Sequence, residues 1–174
     1  TWTSRTSGTA NAIQSITYGN GIFVTAGNTG TIISSSNATT WTARTSGTSQ
    51  NLFGNTYGNG LFVAVGASGT ILTSSDGISW TSRTSGTSTS LWGVGYGNGI
   101  YVALGSSGTI LTSSDGITWT SRTSGTSQSI MKVAYGNGLF VVVGNAGTIL
   151  TSSDGVTWTS RTSGTSGSLY NVTY

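Results

Sequence analysis

The chain has 174 residues, 34% of them hydrophobic, with 28 Gly and a formal net charge of +3. Only 5% are charged, against roughly 25% in an ordinary soluble domain, and Ser and Thr supply the polarity instead. There is no His, Cys, Pro or Glu, and the three acids are Asp76, Asp115 and Asp154, which excludes thiolate nucleophiles, His general bases, Cys/His zinc sites and disulfide frameworks.

Five Arg and Lys132 are too few for a nucleic-acid groove built on several phosphate contacts per module. No apolar run approaches the ~18 residues needed to span a bilayer. Nothing in this residue set calls for a cofactor. Residue 1 is Thr and no charged-then-apolar leader comes after it, so the expectation is a processed product or part of something longer. The Ser/Thr/Gly surface points to an extracellular or virion-surface location, whereas the absence of Cys fits a cytosolic protein equally well.

Self-similarity organises the whole chain. Trp2, Trp41, Trp80, Trp119 and Trp158 recur every 39 residues, as do Tyr18 to Tyr174 and Arg5 to Arg161. Four 39-residue units and an 18-residue overhang make up the 174 residues. The domain reading is one repeat domain, 1–174, with units at 11–49, 50–88, 89–127 and 128–166 and partial strands in 1–10 and 167–174.

Within a unit the elements come in order. The first strand, as in Leu91–Tyr96, ends at Gly97-Asn98-Gly99, where Asn-Gly suits a type I′ hairpin turn with positive φ at both central positions. The second strand, Ile100 to Gly105, stops at the Gly105-Ser106-Ser107-Gly108 turn. The third, Thr109–Ser114, is turned by Asp115-Gly116 into the fourth, Ile117–Thr123. Frequent Gly and β-branched or aromatic strand residues exclude helix.

In the second strand, Leu61, Phe62, Val63, Ala64 and Val65 are apolar on both parities, so both faces of the sheet need cover. In the fourth strand Ile78 and Trp80 share one face, and Ser79, Thr81 and Arg83 the other. With no helices, the available cover is a sister sheet, which predicts an all-β fold: a β-propeller of four-stranded antiparallel blades. A ring is preferred to an open stack, and a single 39-residue unit is not expected to fold alone. The overhanging ends lack second and third strands for a fifth blade. They imply a longer array or pairing with another copy, that is, a homo-oligomer.

The hairpin Ser75-Asp76-Gly77-Ile78-Ser79-Trp80, with its copies ending at Trp119 and Trp158, resembles the Asp-box of bacterial neuraminidase-type repeats. The longer string VGxxGTILTSSDGxTW also resembles the blades of photosystem II assembly-factor propellers. Two departures stand out: Asp and Gly are adjacent here, and the first copy has Asn37-Ala38. The resemblance implies propeller blades for adhesins, phage structural proteins, sialidases or assembly factors. Sialidase chemistry is excluded because the acids that would activate a Tyr nucleophile are missing.

The candidate sites are therefore binding or structural ones. Asp76, Asp115, Asp154 and Asn37 read as turn residues whose side-chain oxygen takes backbone N–H groups. The five Trp read as core rather than as a sugar-stacking ring. Arg44, Arg83, Arg122 and Arg161 are expected on a basic rim opposite a weakly acidic Asp rim, as anion or acidic-glycan contacts or as covers of a neighbouring blade's edge. The units differ most at Gln14-Ser15, Phe53-Gly54, Trp92-Gly93, Met131-Lys132 and Tyr170-Asn171, which makes Phe53, Trp92, Lys132 and Tyr170 candidate ligand contacts. Asn37 and Asn171 also open N-x-Thr glycosylation patterns that a Ser/Thr/Asn-rich chain meets by chance.

The functional expectation is a non-enzymatic structural or binding propeller of a surface, adhesin-like or phage-structural protein. A carbohydrate-binding lectin using inter-blade grooves is the alternative, and an assembly factor holding a partner protein the second. Partners are thus a glycan or another protein, with no nucleic acid and no membrane span.

Overall fold

The computed structural model describes all residues, 1–174. Four antiparallel meanders succeed one another along the chain. The first sheet holds β1 (Ile13–Gly19), β2 (Ile22–Gly27), β3 (Ile32–Ser35) and β4 (Thr42–Arg44). The second holds β5 (Leu52–Gly58), β6 (Leu61–Gly66), β7 (Ile71–Ser74) and β8 (Thr81–Arg83). The third holds β9 (Leu91–Gly97), β10 (Ile100–Gly105), β11 (Ile110–Ser113) and β12 (Thr120–Arg122), and the fourth β13 (Ile130–Gly136), β14 (Leu139–Gly144), β15 (Ile149–Ser152) and β16 (Thr159–Arg161). No helix is long and apolar enough to cross a membrane.

The turns arise from local chemistry. Asn20, Asn59, Asn98 and Asn137 take φ of 46 to 48° before a positive-φ Gly, the geometry that Asn-Gly supplies to a two-residue hairpin. The inner strands pack in the series β1, β5, β9, β13. Each strand therefore has a leading face toward the preceding sheet and a trailing face toward the next.

This is a propeller fold, and its core lies between blades rather than within them. Val24, Ala26 and Ile32 of the first sheet pack on Leu52, Phe62, Ala64 and Leu72 of the second. Val63, Val65 and Ile71 meet Leu91, Val94, Tyr101, Ala103 and Leu111 in the next junction. Val102, Leu104 and Ile110 meet Ile130, Phe140, Val142 and Leu150 in the last. Phe62, Val63, Ala64 and Val65 are all fully buried, because each face of β6 has a sister sheet against it.

The inner strands approach so closely that glycine is needed. A Cβ at Gly58 would lie 2.1 Å from the Tyr96 ring of the next sheet, and Gly19 and Gly97 meet Tyr57 and Tyr135 in the same way. Polar groups also cross the junctions: the buried Tyr101 hydroxyl donates to the Gly58 carbonyl, and Asn55 Nδ2 donates to Val24 O at 2.8 Å.

The four blades fan in series, and the leading face of the first sheet is open, with Ile16 and Tyr18 exposed. Two sequence expectations change. The end segments 2–6 and 169–174 are not strands, because no second strand lies beside them to complete a ladder. Trp2 is therefore fully exposed rather than core. The fourth strands begin only at Thr81 and its equivalents. Ile78 and Ile117 sit in the turn and are exposed, since Asp76 and Asp115 capture the N–H groups at 78–79 and 117–118.

Candidate functional site

The Asp turns are closed, self-satisfied units. Asp76 Oδ1 accepts from Ser74 Oγ at 2.9 Å, Ile78 N at 2.8 Å and Ser79 N at 2.9 Å. Asp115 and Asp154 repeat the pattern. These backbone donors hold the Asp115 and Asp154 carboxyls down at about 2 and lower that of Asp76, because they stabilise the ionised form. Asn37 Oδ1 accepts from Thr39 N and Thr40 N at 2.9 Å each, so a neutral amide does the same work. No group of three or more His, Cys, Asp or Glu is placed to hold a metal ion.

The departure of the first copy has a structural reason. Gly77 at φ 67° lies where a Cβ would come within 2.5 Å of Ile22 Cδ1 and 2.9 Å of Val24 Cγ2 of the preceding sheet. The equivalent Ala38, at φ 56°, belongs to the first sheet, whose leading face is open.

The Arg residues sit toward the Gly-x-x-Gly end of the blades, and their side chains turn back from it. Each lies at the end of an outer strand near the Gly-x-x-Gly turn, Arg83 opposite Ile71 and Arg122 opposite Ile110. Each then folds back along its sheet. Arg83 Nε donates to Thr73 Oγ1 at 2.8 Å, Arg122 to Thr112 at 2.8 Å, Arg161 to Thr151 at 2.9 Å and Arg44 to Ser34 Oγ at 2.8 Å. Thr73, Thr112 and Ser34 are buried, and a buried hydroxyl without a partner is costly; this demand draws the guanidinium away from the rim. These hydroxyl anchors were missed in the sequence, although a Thr or Ser ten residues before each of these Arg is visible there.

The result is a repeated groove between adjacent blades with one Arg on its wall. Arg122 lines a cavity of about 560 Å³ with Thr87, Gly108, Ser124 and Thr126 on the Gly-x-x-Gly side. It also lines a second cavity of about 230 Å³ with Ile100, Ser113 and Val156 on the Asp-turn side. Arg161 lines the next copy of the larger groove, about 450 Å³, and Arg44 a smaller one with Ile22, Asn37 and Ile78. Arg44, Arg83 and Arg122 are half-buried and Arg161 is exposed.

The variable positions gather at the bulged start of the inner strands, next to the Gly-x-x-Gly turns. Phe53 and Trp92 stack with ring centroids 4.6 Å apart, and Trp92 Nε1 donates to Ser106 Oγ at 3.0 Å. Tyr170 is exposed and has no aromatic partner drawn to it. Lys132 takes the register position of Gly93 and projects from the trailing face of the fourth sheet; burial lowers its ammonium pKa. Phe53 and Trp92 are thus brought together, and Lys132 lies on a different face. The Trp of the repeats form aromatic triads instead: Trp80 with Phe62 and Tyr57, Trp119 with Tyr101 and Tyr96, and Trp158 with Phe140 and Tyr135.

No protein-family model and no curated protein matches this sequence. Solved structures do share the fold. A structure described as YCF48 bound to D1 peptide aligns with a TM-score of 0.72 at 18% identity, over 95% of this chain and 58% of that one. YCF48 from Cyanidioschyzon merolae aligns at 0.67 and 17% identity, over 93% and 63%. The computationally designed Ika4 protein aligns at 0.68 and 17% identity, over 83% of this chain and 92% of its own. This chain therefore spans about three fifths of the YCF48 structures it resembles, and the shared property is the blade architecture.

Proposed function

We propose that this chain is a non-enzymatic binding module that holds an extended, acidic segment of a partner protein in its inter-blade grooves. The observation that carries this reading is the repeated Arg: Arg44, Arg83, Arg122 and Arg161 each spend Nε on a hydroxyl of their own sheet, which fixes the fork, and Arg44, Arg122 and Arg161 line grooves. A pre-positioned guanidinium suits a carboxylate better than a mobile Lys does, and the grooves recur with the blades, as side chains recur along a peptide. Support by analogy comes from the propeller whose structure carries a bound peptide. The absence of His, Cys and Glu, with Oδ1 of every Asp engaged in a turn, favours capture over catalysis. A surface location of the adhesin or phage-structural kind belongs to this proposal.

A second reading rests on the Phe53–Trp92 stack, a face on which a sugar ring can lie. Titration calorimetry with an Asp/Glu-rich peptide and its Asn/Gln counterpart separates the two. The acidic peptide is expected to bind with salt-sensitive affinity that Arg83→Gln with Arg122→Gln weakens about tenfold or more, while Asp76→Asn leaves it unchanged. Equal binding of both peptides, or an unaltered double variant, overturns the carboxylate reading. Saturable signals on a glycan array that Trp92→Ala abolishes favour the sugar.

A further inference from the structure

The two end faces of the fan are complementary halves of the same contact. In each interior junction a trailing face packs on a leading face around one apolar cluster. The first sheet keeps an uncovered leading face and the fourth a partly covered trailing face. On the leading face Ile13 is 42% and Ile16 58% exposed, whereas Leu52, Leu91 and Ile130, at the Ile13 position, are at 0%. On the trailing face Leu139 is 37% exposed, and Val141 and Ile149 are half-buried where Val63 and Ile71 are buried completely.

We infer that these faces form a further junction between two copies of this chain, in which β1 of one copy takes the slot beside β13 that residues 169–174 hold in the other. That slot is already a first-strand site. Tyr174 lies against Gly136 as Tyr57 lies against Gly19 and Tyr96 against Gly58, and Leu169 N donates to Gly144 O at 2.9 Å. The two competing segments are the same sequence unit: residues 1–9 are identical to 157–165, and Thr17-Tyr18 to Thr173-Tyr174. They differ in the strands attached to them. β1 brings β2, β3 and β4 with it and covers Val141 and Ile149, whereas 169–174 forms no strand and leaves Tyr170 and Tyr174 exposed.

Two residues depart from the repeat at this junction. Ala38 stands where the inner turns carry Gly77, Gly116 and Gly155; a Cβ there meets nothing closer than 3.6 Å at Gly155 but comes 2.5 Å from Ile22 Cδ1 at Gly77 and 2.6 Å from Leu61 Cδ2 at Gly116, so the exposed Leu139 side chain must turn aside to admit it. Lys132 stands where β5 and β9 carry Gly54 and Gly93, and the first junction already holds a side chain at that position, Ser15. Because the contact is head-to-tail, it makes a ring if the rotation closes and a filament if it does not.

Sedimentation of the 174-residue chain over a concentration series tests this. The mass is expected to rise above 17.6 kDa with concentration. Ile16→Lys blocks one face and Leu139→Lys the other, and both side chains are already exposed in the single chain, so circular dichroism should stay unchanged. Each variant alone should remain a monomer, and an equimolar mixture should form a one-to-one dimer. Deleting residues 169–174 removes a tethered competitor and should tighten association about tenfold or more; general stickiness would instead weaken on losing Tyr170 and Tyr174. A mixture that stays monomeric, or a deletion that weakens association or leaves the chain monomeric throughout, overturns the junction.

Discussion

The repeat provides its own control for where the stability comes from. Phe62 and Phe23 occupy the same position in successive sheets and have the same aromatic neighbours. Phe62 lies 4.5 Å from Tyr57 and 6.5 Å from Trp80, and Phe23 lies 4.7 Å from Tyr18 and 6.4 Å from Trp41. They differ in cover: Phe62 is buried at 0% beneath the first sheet, with Val24 and Ala26 in its cluster, while Phe23 is half-exposed on the open leading face. Phe62→Ala removes a fully buried ring and leaves a cavity, which costs about 3–5 kcal/mol. Phe23→Ala loses mainly the aromatic pairing within its sheet, about 1 kcal/mol. For a chain of this size the first should lower Tm by roughly 10 °C and the second by a few degrees. Thermal and urea unfolding at concentrations where the chain is monomeric measure both. Equal destabilisation by the two variants would refute the view that blade-to-blade burial holds the fold together.

Two further predictions use the turns and the glycines. The Asp115 and Asp154 carboxyls are held at about 2 and that of Asp76 is lowered, while an unfolded Asp titrates near ~3.9. A depressed folded-state value stabilises the fold above the unfolded value, and this contribution is lost as pH falls from about 4 to about 2. Calorimetry should show Tm dropping across that window. Replacing all three with Asn should flatten the drop with little effect at neutral pH, because Asn37 makes the same backbone bonds. Gly58→Ala drives a Cβ into the Tyr96 ring, whereas Gly136→Ala meets only the exposed Tyr174. Denaturant unfolding should find the first destabilising by about 2 kcal/mol or more and the second near neutral.

The amino-acid sequence by itself determines the repeat and the local turns. The period is set by Trp, Tyr and Arg at 39-residue steps. The hairpins come from Asn-Gly and Asp-Gly, whose backbone preferences act within four residues. Sheet-on-sheet packing comes from β6, which is apolar on both parities and has no helix to cover it.

The tertiary structure decided the rest, because it depends on partners distant in sequence. A buried Thr73 hydroxyl across the ladder sets where Arg83 points, which charge spacing alone does not show. Trp2 and Trp80 belong to the same repeat position, yet one is bare and the other packed. The motif is identical; a flanking sheet is present in only one case, and hydrophobic burial requires that second surface.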